Sequence, residues 1–267
     1  MGIELEGSRV LITGASSGIG AALARALAAR GATVGLCARR AERLREVLTD
    51  CRRHAPDSQM WVVDLAELDA ATRFALDADD ALGGIDVLVN NAGIPRRRRL
   101  GSLSPTDLDA TVTLNYLSPA RLVLALAPRM LERGRPAAIV SVGSVAARLA
   151  PPGESAYDAS KAALTAFSES LAVELADTCV SVHVVHPGII DTELFAQPDN
   201  DPLLADELER LPPDAVVDAV LDQLAGGPFE VFVPTWFADV VRARAEDPDG
   251  YLAGAAAYWR SKRQERH

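Results

Sequence analysis

The chain has 267 residues, and 49% of them are apolar, which is enough for the core of one large α/β domain. Its 37 acidic and 27 basic residues give a net charge of -10. Nucleic-acid and anionic-membrane surfaces require positive fields, so the charge argues against both and favours a small-molecule partner.

Three further features of the sequence predict a cytoplasmic protein without a membrane span. The N-terminus is acidic and lacks the basic flank and apolar run of a signal peptide. No run of about 18 apolar residues predicts a membrane span. The three cysteines are widely spaced, match no metal-binding pattern and indicate free thiols in a reducing compartment.

Short β-branched runs alternate with helical segments along the chain. The predicted strands are 9–13, 33–38, 59–63, 86–90, 137–142, 180–185 and 229–233. The predicted helices are 21–30, 41–54, 70–82, 105–132, 157–176 and 214–224. Such alternation predicts parallel strands joined by right-handed crossovers. Because no Pro/Ser-rich linker divides the chain, we expect a single α/β domain over 1–267, a Rossmann doubly wound parallel sheet of about seven strands with helices on both faces.

A glycine-rich turn follows the first predicted strand. Gly14, Gly18 and Gly20 permit a tight turn and the close approach of a pyrophosphate to the N-terminus of the first helix. A bare glycine cluster would be an ordinary turn. Between a strand and a helix it predicts a dinucleotide site.

The end of the second predicted strand indicates which dinucleotide. An NAD site would carry an acidic residue there, but this chain has Arg39 and Arg40. Arg39 is expected to pair with a 2′-phosphate, aided by Arg40 or the hydroxyls of Ser16 and Ser17. NADP(H) is therefore favoured over NAD(H), the alternative being solvated arginines at the start of a helix.

The next two strand ends carry short polar segments. Asp64 and Leu65 follow the third strand and are expected to hold an adenine, whereas 90–93, Asn-Asn-Ala-Gly, ends the fourth strand. Either segment could be turn chemistry alone. Their position at the carboxyl ends of parallel strands favours contact with a ligand.

Tyr157 and Lys161 lie four residues apart, on the same face of a predicted helix. A nearby cation favours the phenolate, so we expect Lys161 to lower the pKa of Tyr157. In most proteins such a pair is only packing and solvation. A catalytic role for the pair therefore requires that the rest of the chain bind a hydride donor next to it.

Asn115 precedes Pro119 by four residues within the predicted 105–132 helix. Pro119 has no N–H, so the Asn115 carbonyl lacks its α-helical donor. We expect this carbonyl to bind a water. A Pro-kinked helix without a water is the alternative.

From Gly7 to about Val233 the chain resembles the short-chain dehydrogenase/reductase family. The resemblance rests on the glycine turn at 13–20, Asn-Asn-Ala-Gly at 90–93, Tyr-x-x-Ser-Lys at 157–161, Asn115, Ser144, and Pro187-Gly188 with Thr192.

The resemblance implies a catalytic tetrad of Ser144, Tyr157, Lys161 and Asn115. Tyr157 would be the general acid in reduction, Ser144 would hydrogen-bond the substrate oxygen, and Lys161 would bind the nicotinamide ribose. That the water at the Asn115 carbonyl relays protons to Lys161 is also what the family resemblance implies. The implied cofactor-binding residues are Gly14, Ser16, Ser17, Gly18, Ile19, Gly20, Arg39, Arg40, Asp64, Leu65, Asn91, Ala92, Gly93, Tyr157, Lys161, Pro187, Gly188, Ile189 and Thr192.

Substrate choice falls in segments that resemble nothing decisive. The segment 195–211 occupies the place of the family's substrate lid, and its apolar residues either wall a pocket or pack the lid onto its own domain. Those residues are Phe195, Leu203, Leu204 and Leu208, and residues expected on the other side are Val145, Leu149 and Pro151. The basic run Arg96 to Arg99 either attracts an anionic substrate or is a solvated loop.

The tail, 235–267, is expected to be a helical extension whose aromatic residues pack on the domain, the lid or a neighbouring subunit. The family associates through helices that correspond to about 105–132 and 155–176, so a homodimer or homotetramer is expected. The predicted activity is an NADP-dependent ketone reductase and alcohol dehydrogenase for an apolar substrate, with steroid-like or 3-oxoacyl substrates possible. The alternative is a nonenzymatic NADP(H)-sensing or interaction protein on the same fold.

Overall fold

Seven parallel strands form one sheet in a computed structural model that describes residues 2–196, 200–201 and 208–265. Their order across the sheet is β3-β2-β1-β4-β5-β6-β7. The strands are β1 Arg9–Thr13, β2 Thr33–Ala38, β3 Gln59–Val62, β4 Val87–Asn90, β5 Ala137–Val142, β6 Val180–Pro187 and β7 Glu230–Val233. The predicted fold, a doubly wound parallel sheet in a single domain, is confirmed.

Helices cover both faces of the sheet. They are α1 Gly18–Ala28, α2 Ala41–Cys51, α3 Leu68–Leu82, α4 Pro105–Val112, α5 Ser118–Arg133, α6 Ala146–Leu149, α7 Ser155–Glu174, α8 Asp214–Leu224, α9 Phe237–Glu246 and α10 Pro248–Glu265. Two apolar cores result. One packs α1, α2 and α8 against the sheet, and the other packs α3 and α5 against its opposite face.

The central strands are buried along their whole length because helices cover both sides. All residues of β4 and β5 are buried, and their sequences read as nearly continuous apolar runs rather than as an alternating pattern. The strand order reverses between β1 and β4, since β2 lies on one side of β1 and β4 on the other. In such sheets ligands bind in the crevice outside the carboxyl ends of the strands at that reversal.

The predicted helical stretch over 105–132 is present, but it is not α-helical throughout. The chain forms α4, a π-helical turn at Thr113–Leu117 and then α5. In the π-turn the Ser118 N–H donates to the Thr113 carbonyl, five residues back. Pro119 removes the next α-helical donor, so the wider turn forms where the α-helical ladder is broken.

Among the described residues, no helix is both long and apolar enough to cross a membrane.

Candidate active site

One cavity of about 1040 Å³ lies at the carboxyl ends of the strands. It is lined by nearly all of the predicted cofactor residues and by Ser144, Tyr157 and Lys161. Gly20 and Asn115 lie behind its wall rather than on it. Both are buried, and each contacts residues that do line the cavity. The folded chain therefore brings the separate sequence motifs to one site.

The glycine turn is shaped by close backbone packing. Gly14 and Gly18 have φ of +67° and +52°, in the left-handed region. A Cβ on Gly20 would lie 2.5 Å from both the Asn91 Nδ2 and the Gly14 oxygen. The Asn91 side chain donates to the Thr13 carbonyl at 2.9 Å, so it ties the turn to the end of β4. The turn thus forms a cradle, open at the N-terminus of α1, that fits a pyrophosphate.

The arginines after β2 have different partners. Arg40 Nη2 donates to Ser16 Oγ at 3.1 Å and to Ser17 Oγ at 2.5 Å, whereas Arg39 lies 3.7 Å from the Asp64 carboxylate and is exposed. Both arginines line the cavity, so the expected contact of Arg39 with a 2′-phosphate stays a prediction. Arg40, grouped with two hydroxyls, presents a donor set that suits a phosphate.

Glu193 also belongs to this corner, and sequence reasoning did not identify it. Its carboxylate accepts from Arg40 Nη1 at 2.8 Å and from Arg43. Hydrogen bonds from these two arginines lower the pKa of Glu193 to about 2. Because it lies at least 150 residues from both arginines, no sequence spacing signals the contact.

Residues that follow the other strands also line the cavity, as their positions at the strand ends predict. Asp64 Oδ1 accepts from the Ala66 N–H at 3.0 Å, which is turn chemistry, yet Asp64 and Leu65 both line the cavity. On the far side, Pro187, Gly188, Ile189 and Thr192 line it as well. The Gly188 N–H donates to the Val233 carbonyl at 2.7 Å, which fixes the turn after β6 against the end of β7.

Ser144 and Tyr157 both line the cavity, and the Ser144 hydroxyl is close enough to the phenol to act against the rise of the Tyr157 pKa. Ser144 Oγ accepts from the Ala146 N–H at 3.1 Å. Lys161, one turn further along α7, is buried. Its Nζ donates to the Val142 carbonyl at 2.7 Å and lies 5.9 Å from the centre of the Tyr157 ring.

The pKa of Tyr157 shifts in the direction opposite to the one expected from a neighbouring Lys161. Burial raises the pKa of Tyr157, and the charges of Glu154 and Asp158 raise it further, against the opposing hydrogen bond from Ser144. Burial also lowers the pKa of Lys161 to about 8. Loss of solvation outweighs the attraction between the two groups because both are enclosed by the protein.

Asn115 holds the wall behind Lys161. Its side chain accepts from the Ile94 N–H at 2.8 Å and donates to the Ile94 carbonyl at 2.9 Å and to Ser160 Oγ at 3.0 Å. The side chain therefore links the loop after β4 to α7. The water expected at the Asn115 carbonyl remains a prediction, supported by the missing N–H of Pro119.

Two carboxyl groups flank Tyr157 on α7, and sequence reasoning missed both. Burial raises the pKa of Glu154 to about 7 and that of Asp158 to about 9. Glu154 lines the cavity with Arg97, whose charge opposes the rise. Glu154 and Asp158 are four residues apart, one helical turn, and that spacing was the available signal.

A buried imidazole supports Ser144 from below. His186 Nδ1 lies 2.9 Å from the Ser144 carbonyl oxygen, and Nε2 lies 2.9 Å from Glu230 Oε1. Arg148 donates to the same Glu230 oxygen. His186 therefore connects β6 and β7 to the loop that carries Ser144.

The substrate side of the cavity is formed largely by the C-terminal helices. Val145, Leu149 and Pro151 line it as predicted residues. It is completed by Phe237 of α9 and by residues of α10, namely Tyr251, Gly254, Ala255, Tyr258 and Trp259. Leu208 lines it too, but the Phe195 side chain, Leu203 and Leu204 lie outside the described parts of the chain.

The four arginines of the basic run, Arg96 to Arg99, make two different kinds of contact. Arg96 and Arg98 lie 3.7 and 4.0 Å from the Asp107 carboxylate in the first turn of α4. Arg97 is buried and Arg99 stacks over the Trp259 ring at 5.2 Å, and both line the cavity. The run is therefore neither a uniform solvated loop nor a uniform cationic entrance.

No group of three or more His, Cys, Asp or Glu side chains suited to a metal ion occurs within the described ranges.

Known proteins match the chain over most of its length. The family model described as short chain dehydrogenase matches residues 8–202. A short chain dehydrogenase of Pseudocercospora fijiensis is 40% identical over 201 residues, which make up 73% of this chain and 64% of that protein. The chain thus spans less than two thirds of the length of that relative.

Two solved structures are similar across nearly the whole fold. A short chain dehydrogenase/reductase from Burkholderia phymatum in complex with NAD has a TM-score of 0.83 at 26% identity, covering 92% of this chain and 96% of that chain. A short chain dehydrogenase from Burkholderia cenocepacia in complex with NADP has a TM-score of 0.79 at 31% identity, covering 95% and 99%.

Proposed function

Since the chain belongs to the short-chain dehydrogenase/reductase family of oxidoreductases, we propose that it transfers a hydride between NADP(H) and the carbonyl or secondary alcohol of an apolar substrate. The observation that carries this proposal is that Ser144, Tyr157 and Lys161 line the same cavity as the glycine turn. A nicotinamide bound there supplies or accepts the hydride.

The proposed roles of the side chains follow from their contacts. Tyr157 donates a proton to the substrate oxygen in reduction and accepts it in oxidation, while Ser144 donates a second hydrogen bond to that oxygen. Lys161, held by the Val142 carbonyl, is a buried cation next to the phenol. Its lowered pKa, about 8, makes it a group that exchanges protons near neutral pH.

The preference for NADP(H) over NAD(H) is supported by the end of β2. No carboxylate follows this strand directly, and Arg40 is grouped with Ser16 and Ser17 at the place where a dinucleotide's adenosine ribose binds in this fold. The similar Burkholderia structures contain NAD in one case and NADP in the other, so the preference rests on these residues.

An apolar substrate is supported by the walls that Val145, Leu149, Phe237 and α10 supply. The cavity also presents Arg97 and Arg99, so an acidic group on the substrate would find cationic partners. Candidate substrates are therefore ketones with an apolar body, including 3-ketosteroids and 3-oxoacyl thioesters.

We also propose that the protein self-associates and that it works in the reducing environment of the cytoplasm. Leu117, Leu124 and Leu131 recur every seven residues and expose 37%, 67% and 39% of their surfaces. These leucines fit a homodimer or homotetramer contact through α5 and α7. Cys37, Cys51 and Cys179 are free thiols, which suits a reducing compartment.

The test is NADPH oxidation over a panel of neutral ketones, acidic ketones, 3-ketosteroids and 3-oxoacyl thioesters, with Tyr157→Phe as control. We expect turnover of at least one class, and a loss of roughly 100-fold or more in kcat for the variant, because general acid catalysis contributes about that factor. NADPH binding is measured for both proteins by nucleotide fluorescence. Equal turnover by the variant would contradict the mechanism, and tight NADPH binding without turnover of any carbonyl would favour a sensor.

A further inference from the structure

The carboxylate of Glu193 accepts hydrogen bonds from two arginines, one of which, Arg40, lies at the adenosine corner of the cavity. It accepts from Arg40 Nη1 at 2.8 Å and from Arg43, which is the third residue of α2. The same Arg40 side chain donates through Nε and Nη2 to Ser16 and through Nη2 to Ser17. One guanidinium therefore serves both the hydroxyl pair and the carboxylate.

A carboxylate and a phosphate compete for such a guanidinium. Both present acceptor oxygens that match the planar donor fork, and both are anionic. Hydrogen bonds from the two arginines lower the pKa of Glu193 to about 2, so the group is ionised at any pH at which the enzyme would work. A phosphate that approached Arg40 would meet the negative charge of Glu193, which already accepts from Arg40 Nη1 at 2.8 Å.

The position of Glu193 makes this contact specific. It begins a short 3-10 helix, Glu193–Ala196, directly after Thr192, whose methyl group would lie 2.9 Å from a Cβ on Gly18. The segment that carries Glu193 thus packs against the glycine turn. The carboxylate thus reaches Arg40 and Arg43 across at least 150 residues of sequence.

We propose that Glu193 is a specificity-determining residue that competes with the 2′-phosphate of NADP(H) for Arg40. The proposal rests on the NADP(H) preference proposed above and deepens it. Its consequence is that Glu193 weakens the binding of the 2′-phosphorylated dinucleotide but not of its unphosphorylated counterpart. The chain discriminates between the two cofactors less than its arginines alone would allow.

The experiment measures dissociation constants of NADPH and NADH for the full-length protein by nucleotide fluorescence, without substrate. The variant is Glu193→Gln, which keeps the side-chain length and removes the charge. Glu42→Gln is the matched control, since Glu42 is an exposed carboxylate on the same helix as Arg43 and pairs with Arg45 instead. Arg40→Gln is measured alongside, and melting temperatures establish that every variant is folded.

We expect Glu193→Gln to bind NADPH about five- to tenfold more tightly and NADH within twofold of the wild type, with no change for Glu42→Gln. Equal tightening by both glutamine variants would overturn the proposal, because a general charge effect would then explain it. Weaker NADPH binding would also overturn it, since Glu193 would then orient the arginines. So would weaker NADH binding, which would make Glu193 an acceptor for the ribose hydroxyls.

The failure of the underlying cofactor assignment has a separate signature. If wild-type protein binds NADPH and NADH equally and Arg40→Gln leaves both constants unchanged, the NADP(H) preference itself is wrong. If Arg40→Gln weakens NADPH alone while Glu193→Gln changes nothing, the preference stands and the competition by Glu193 is refuted.

Discussion

Glu154→Gln isolates the effect of a buried carboxyl beside Tyr157. Burial raises the pKa of Glu154 to about 7 from its ordinary value of 4.5, so between these two pH values the folded protein keeps a proton that the unfolded chain releases. The unfolded state then binds fewer protons, and the free energy of unfolding decreases as the pH rises through this window. The glutamine variant lacks this contribution.

The magnitude follows from the shift in pKa. At about 1.4 kcal/mol per pKa unit, a rise from 4.5 to about 7 corresponds to roughly 3 kcal/mol between pH 4 and pH 8. Because Glu154 faces the cavity and solvent screens it there, we expect about 1 to 2 kcal/mol. Asp158, one turn on, also has a raised pKa, partly through the charge of Glu154, so its ionisation becomes easier in the variant.

The assay is urea unfolding at pH 5, 6, 7 and 8 for wild type, Glu154→Gln and Glu174→Gln, the last changing an exposed carboxylate at the end of the same helix. The difference in unfolding free energy between Glu154→Gln and wild type should grow with pH, while the control follows wild type. Since the Glu154 charge also raises the pKa of Tyr157, the pH at which alcohol oxidation reaches half its maximum should move downwards. Parallel pH dependences for wild type and Glu154→Gln would refute the reasoning.

Three further substitutions test the packing around the site. Gly20→Ala places a Cβ 2.5 Å from Asn91 Nδ2, so we expect a loss of about 2 kcal/mol and a fall of roughly 5 °C in a melting experiment; unchanged melting would contradict this packing. Glu230→Gln removes the anion on His186, and kcat should fall about tenfold with KM nearly constant, because the support of the catalytic serine's loop weakens; a change in KM alone would argue against it. Gly254→Leu enters open space in the cavity, so KM for bulky ketones should rise at least tenfold while small ketones are unaffected; equal effects on both would show that this residue does not limit the pocket.

The local sequence predicted the elements and many of the site residues because their signals are short-range. Seven apolar runs separated by helical segments gave the parallel sheet, and the glycines at 14, 18 and 20 identified the turn after β1. Tyr157 and Lys161 share a face of α7 because residues four apart on a helix are neighbours. The helical stretch over 105–132 was predicted too, but not the π-turn that forms within it just before Pro119.

The electrostatics of the site were not predictable in the same way. Arg39 and Arg40 are adjacent in sequence, yet only Arg40 bonds with Ser16 and Ser17, since side-chain direction at the end of a strand depends on what packs around it. The raised pKa of Tyr157 comes from enclosure by the fold, which spacing does not report.

The sequence by itself determined the fold class, the family and the identities of the residues at the carboxyl ends of the strands, because these depend on periodicity and on motifs within a few residues. Only the tertiary structure decided that Glu193 lies on Arg40 and Arg43, that Glu230 reaches Ser144 through His186, and that α10 walls the cavity. These contacts join segments far apart along the chain. Their geometry follows from how the helices and loops pack against the sheet, and no local pattern encodes it.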